Sequence, residues 1–308
     1  MRARFPALLR TSFALAVAAF LWSCEEPIEL NLEQQKSRLV INSNFFPGEP
    51  VRLRVSATRP AGTMAVPVTN AQVFLYEGNE MAEELVFVPS TNDQTSGSYQ
   101  TIDFRPQVGQ SYTVHVSAEG FDPVTAVSSI PAPVPITSLS IADLSIERTD
   151  EELVYDYHLL VDYADPEEVG NYYDLRIYQR VTPYRVTAVG DTVLQQSYLK
   201  TVGTPTHQAE QSKTISVLLQ DLGRGAPVRI HLQSRIDPSR EFIGAVVAEL
   251  RTVSPEYFFF QRSLGPDLSG VSSGLYEPLI LFNNVESGLG IFAGYTSVAL
   301  DLQLVAPL

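Results

Sequence analysis

From Arg38 onward the chain alternates apolar and polar residues with a period of two. In PVRLRVSA (50–57), Val51, Leu53 and Val55 share one face, and Arg52, Arg54 and Ser56 take the other. In SYTVHVSA (111–118), Tyr112, Val114 and Val116 alternate with Thr113, His115 and Ser117. Successive side chains of a strand point to opposite sides of a sheet, so this pattern predicts half-buried strands. Residues 70–76 read as another strand, and residues 92–97 and 106–110 carry turn chemistry. Short strands separated by turns predict an N-terminal β-sandwich of the Ig-like or transthyretin-like kind over residues 38–130. Prolines 131, 133 and 135 then predict a stiff, extended linker over residues 131–137. A proline-rich edge strand within one larger sandwich is the alternative.

The remainder, residues 138–308, reads as a second β-rich domain. In LVYDYHLLVDY (153–163), Leu153, Tyr155, Tyr157, Leu159, Val161 and Tyr163 fall on one face. PVRIHLQSRI (227–236) alternates clearly, and YTSVALDLQLV (295–305) closes the second sheet. One helix is predicted over residues 255–264. Ser254 suits its N-cap, Pro255 its first position and Gly265 its stop. Its sequence, PEYFFFQRSL, is aromatic nearly all round, which predicts burial against a sheet. The fold class expected is mainly β, with two sandwich-like domains and one short buried helix.

The N-terminus changes the picture of where the protein works. Arg2, Arg4 and Arg10 precede an unbroken apolar run, Phe13 to Leu21. That run is too short for a membrane span, which needs roughly 20 apolar residues, but suits a signal peptide. Leu21-Trp22-Ser23-Cys24 then resembles the bacterial lipobox, with cleavage before the only cysteine of the chain. Trp22 departs from the small residue usual there. Residues 1–23 are therefore read as a lipoprotein signal peptide, Cys24 as the lipidation site and residues 24–37 as an acidic tether. Several acyl chains would give stable attachment where a single chain does not. Glu25 and Glu26 resemble a surface-export signal; the plain alternative is a solvated tether. An outer-membrane, surface-exposed location is expected, with a periplasm-facing one as the alternative.

The chain has 21 basic and 35 acidic residues. Removing residues 1–23 takes away three arginines and no acid, leaving 18 against 35 and a formal charge of −17. Such a surface repels nucleic acid, so no nucleic-acid partner is expected. With Cys24 acylated, no thiol remains for a disulfide, and stability must come from the core.

Candidate chemistry is thin. Gly270-Val271-Ser272-Ser273-Gly274 matches the G-x-S-x-G nucleophile elbow, which needs a strand before it and a helix after it. Its flanks have loop composition, and no histidine follows Ser272, so a hydrolase is disfavoured and no catalytic residue is named. The glycines at 288, 290 and 294 do not match a dinucleotide fingerprint. His115, His158, His207 and His231 are scattered without metal spacing. Asp162, Asp165, Glu167 and Glu168 flank a turn and are weak calcium candidates; a solvated acidic loop is the other reading. No cofactor is expected. Tyr172, Tyr173, Tyr178 and Tyr184 could form an aromatic platform for a glycan or other ligand, or simply pack within a sheet.

Four segments carry a family resemblance. They are the lipobox with its acidic follow-on, Arg38-Leu39-Val40-Ile41-Asn42, Asp165-Pro166 with Asn171-Tyr172-Tyr173, and Asn283-Asn284-Val285-Glu286-Ser287-Gly288-Leu289-Gly290-Ile291-Phe292. In their order and spacing the chain resembles the DUF4249 lipoproteins of Bacteroidota. The first sandwich also resembles carboxypeptidase-regulatory-like and transthyretin-like modules through Asn70–Val73, Gly97–Tyr99 and Gly109–Tyr112. The resemblance implies a non-enzymatic outer-membrane lipoprotein, an accessory to a TonB-dependent transporter. It supplies no catalytic residue.

Overall fold

The structure is a computed structural model, describing residues 36–59, 65–91, 96–149, 151–166, 170–204, 215–220, 227–264 and 281–304. The signal peptide, Cys24, His207, Gly265, Ser272, Glu167 and Glu168 lie outside the described residues. In chain order the first strands are β1 (Leu39–Phe45), β2 (Arg52–Ala57), β3 (Val66–Pro67), β4 (Gln72–Glu77), β5 (Glu80–Glu84), β6 (Val86–Pro89), β7 (Gly97–Gln100), β8 (Ser111–Ser117) and β9 (Val124–Ser129). Then come β10 (Ile136–Arg148), β11 (Leu153–Tyr163), β12 (Tyr172–Val186), β13 (Thr192–Leu194), β14 (Tyr198–Thr201), β15 (Ile215–Gln220), β16 (Val228–Ile236) and β17 (Glu241–Val253). Helix α1 (Pro255–Ser263), β18 (Val285–Glu286) and β19 (Leu289–Gln303) complete the order. The protein is mainly β, with a single short helix among the described residues.

The alternating pattern became strands because each could bury its apolar face. Ile41, Leu53 and Val55 on the β1–β2 side meet Val73, Leu75, Tyr112, Val114 and Val116 of the five-stranded sheet β18-β9-β8-β4-β5. A second core joins Tyr157, Leu159 and Val161 of the three-stranded sheet β10-β11-β16 to Tyr173, Leu175, Ile177, Val246 and Leu250 on β12 and β17. Each such side chain, once fully buried, stabilises the fold by roughly 1.5–3 kcal/mol before entropy is counted.

One eleven-stranded sheet serves both cores, with its main path β13-β12-β17-β19-β1-β2-β7-β6. Strand β19 makes this possible. Its first part runs parallel to β1, from Val40 opposite Leu289 to Phe45 opposite Gly294. Its second part runs antiparallel to β17, from Val253 opposite Tyr295 to Ala245 opposite Gln303. Phe292 lies in the first core, while Leu304, just past the strand end, lies in the second. The proline-rich segment is packed down: Val134 is buried, and its backbone N–H donates to Thr252 Oγ1 at 3.0 Å.

Ser254 caps α1 as the sequence predicts, accepting from the Tyr257 N–H at 3.4 Å. Burial of the helix is one-sided. Tyr257 and Phe258 are buried against Val253, Ile291 and Ala293, while Phe259 and Phe260 are half-buried.

Candidate functional site

The densest charged cluster sits on β12 and β17, beside the helix. Both strands carry an acid-Leu-Arg triplet, Asp174-Leu175-Arg176 and Glu249-Leu250-Arg251. Antiparallel register places Asp174 opposite Arg251 and Arg176 opposite Glu249, so unlike charges face each other. Asp174 is fully buried. Its carboxylate accepts from Arg176 Nε at 2.8 Å, from the Tyr257 hydroxyl at 2.8 Å and from the Ser216 hydroxyl at 2.5 Å. Glu249 accepts from Arg251 Nε at 2.8 Å, and the Arg251 guanidinium lies 4.7 Å from the centre of the Tyr295 ring. Burial pushes the Tyr257 phenol up, and the Asp174 carboxylate pushes it further. Burial opposes the charge on Arg251, but the Glu249 carboxylate outweighs it and holds the pKa above the ordinary value. A buried charge is tolerated when paired and hydrogen-bonded, and these groups answer one another. The cluster is an internal brace under α1. Its signal in the sequence is the repeated triplet, which the strand-by-strand reading passed over.

The sequence candidates are dispersed. Asp162 accepts from Ser138 Oγ at 2.7 Å, and Asp165 accepts from the Tyr173 hydroxyl. His158 and His231 stack at 4.5 Å across β11 and β16, with His231 Nε2 2.7 Å from Asp156 Oδ1. His115 Nδ1 lies 2.7 Å from Thr125 Oγ1. Among the described residues no group of three or more His, Cys, Asp or Glu converges as a metal site. The four tyrosines do not share a surface. Tyr173 is fully buried, and Tyr172 packs on Phe258 and Phe259. Tyr178 donates to Glu249 at 3.3 Å, while Tyr184 stacks on Phe242 and donates to the Pro238 carbonyl.

Two of the segments that carry the family resemblance, Arg38–Asn42 and Asn283–Phe292, meet at a structural junction. Asn284 Nδ2 donates to the carbonyls of Val127 and Phe292, and its Oδ1 accepts from the Phe292 N–H. Asn283 bridges Val285 and Gly288 in the same way. Arg38 donates to the Gly288 carbonyl at 2.6 Å. Gly290 has φ +112°, and a Cβ there would stand 1.9 Å from the Ile41 carbonyl oxygen. Only glycine permits that approach of β19 to β1. These residues hold β19 against β1 and β9.

Two exposed features remain. The first is an arm. Beyond Pro183, β12 outruns β17 and pairs only with β13, Tyr184 opposite Leu194 and Val186 opposite Thr192. A turn closes it, with the Thr187 N–H donating to the Asp191 carbonyl and Gly190 at φ +94°. Val186, Val189, Val193 and Leu194 are 60%, 83%, 39% and 61% exposed. The second is a groove of about 520 Å³ on the outer face of β1, β2 and the β6–β7 hairpin. Strands β2 and β7 pair only through Arg52–Gln100 and Leu53–Tyr99, after which β2 turns to β3 and the hairpin splays away. Asn42 and Arg54, register partners on β1 and β2, line the groove with Ser56, Ser98 and Gln100.

A comparison with curated proteins returns no match. Among solved structures the chain is similar to the three N-terminal domains of the bacteriophage RB49 Highly Immunogenic Outer Capsid protein (Hoc), at 9% identity and a TM-score of 0.21, over 85% of this chain and 68% of that one. A likeness at that score carries no argument. The family model for DUF4249, a domain of unknown function, matches residues 25–300. That span takes in both cores and the Asn283–Phe292 junction, and the chain belongs to the DUF4249 family.

Proposed function

We propose that the protein is a non-enzymatic lipoprotein of the Bacteroidota type, held in the outer membrane through Cys24, and an accessory or binding component beside a TonB-dependent transporter. The observation that carries this reading is the apolar arm. This two-stranded ribbon beyond the reach of β17 exposes four aliphatic side chains, Val189 at its turn, Val186 and Leu194 on one face and Val193 on the other, and apolar side chains exposed on such a projection suit a contact site. The arm extends β12, which lies three strands from β1 along the sheet path. The lipobox and the Glu25-Glu26 pair support the anchored, surface-exposed placement. The internally answered charges at Asp174 support a role without catalysis.

Pull-down of the full chain from detergent-solubilised outer membrane tests the reading. Co-recovery of a transporter, reduced by paired Val189→Asp and Leu194→Asp changes, is the expected outcome. Recovery of the protein alone would overturn the accessory role. Metabolic labelling with a radioactive fatty acid, lost in Cys24→Ser, tests the anchor separately.

A further inference from the structure

From the groove beside β2 and β7 we infer that the protein has a binding site for a carboxylated sugar unit, of the size of a uronic-acid disaccharide. The argument begins with charge. The chain carries a large excess of acid, yet the one charged side chain lining this groove, among the described residues, is Arg54. Arg54 is exposed and makes no ion pair or side-chain hydrogen bond among those residues. The arginines on the outer face of β12 and β17, by contrast, are answered: Arg176 by Asp174, Arg180 by Asp301 and Arg251 by Glu249. A free guanidinium offers a planar fork that fits a carboxylate with two parallel hydrogen bonds.

The rest of the lining selects for hydroxyls. Asn42 stands directly across from Arg54, and its amide is likewise without a side-chain hydrogen bond among the described residues. Ser56 and Ser98 add hydroxyls that both donate and accept. Gln100 Nε2 donates to Ser98 Oγ at 2.9 Å, which holds Ser98 in place. Val88 and Pro89 supply an apolar wall against which a sugar ring can lie. The volume of about 520 Å³ falls within the usual range for small-ligand sites, roughly 300–1,000 Å³. Splaying of β2 from β7 is what opens the space.

The site is separate from the docking arm and does not depend on the docking role. Titration calorimetry of the full chain in detergent, with digalacturonate and with neutral galactobiose as probes, tests it. Digalacturonate is expected to bind at least about tenfold more tightly than galactobiose, one such hydrogen-bonded charge being worth about 1.4 kcal/mol or more. Arg54→Gln, which leaves the disaccharide hydroxyl contacts in place, should bring the two probes to equal affinity. Arg54→Lys should keep part of the preference. Absence of digalacturonate binding, equal affinity for both probes, or a preference unchanged in Arg54→Gln would each overturn the site. Loss of sugar binding with transporter co-recovery intact would overturn this inference alone.

Discussion

Arg176 and Arg54 lie in the same eleven-stranded sheet, yet they differ in everything but residue type. Arg176 faces Asp174, Glu249 and Tyr257 under the helix, and its charge is used up within the fold. Arg54 faces Asn42 and open space at the edge of a splayed pair of strands. The difference shows how one sheet carries both a brace and a binding face. Where a helix covers the sheet, charges must be paired because an unpaired buried charge is expensive. Where the sheet splays, water solvates the guanidinium until a ligand replaces it.

The comparison breaks most sharply at Asp174. Asp174→Ala removes the carboxylate that accepts from Arg176, Tyr257 and Ser216, leaving the half-buried Arg176 charge without its acid, and should cost about 3–5 kcal/mol in urea unfolding. A loss under about 1 kcal/mol would mean that the cluster is not a brace. Gly290→Ala, at the junction that joins both faces into one sheet, should cost on the order of 3 kcal/mol, because positive φ and the Ile41 carbonyl both oppose a Cβ. Tyr257→Phe removes one donor from Asp174 and one acceptor from Arg176, and should cost about 1–3 kcal/mol.

Alkaline titration sharpens the sealed side further. Burial pushes Tyr157 up to about 12, and burial with the Asp174 carboxylate pushes Tyr257 up as well. A phenol whose folded-state value lies above its unfolded value, about 10, stabilises the fold fully below about pH 10. That contribution is lost as pH climbs through about 12 at Tyr157. Absorbance at 295 nm should show these two rings ionising together with unfolding. Smallest of all is Arg54→Gln, expected to change stability by no more than about 0.5 kcal/mol, since nothing in the fold rests on that charge. A large loss there would erase the contrast.

Much of the strand pattern was legible because burial on one face writes itself into a two-residue period. Val51, Leu53, Val55, Tyr112, Val114 and Val116 are all buried as the alternation predicts. The helix start was legible from Ser254-Pro255. Strand β19 was read only from Tyr295, yet it begins at Leu289. Its first half, Leu289–Gly294, does not alternate, because it is buried on both faces, Phe292 in the first core and Ile291 and Ala293 against helix α1. Residues 192–201 divide into β13 and β14, which pair with successive stretches of β12. The tyrosines were visible as aromatics, but their separation into core, helix contact and arm was not.

Sequence alone determined the alternating strands, the helix cap and the acidic balance. These depend on neighbours within a few residues, or on totals. Tertiary structure decided which charges are spent and which are free. Asp174 and Arg251 are 77 residues apart, and Asn42 and Arg54 are 12 apart. Only strand register brings each pair to opposite positions, and only the cover above the sheet makes one arginine a brace and leaves the other exposed.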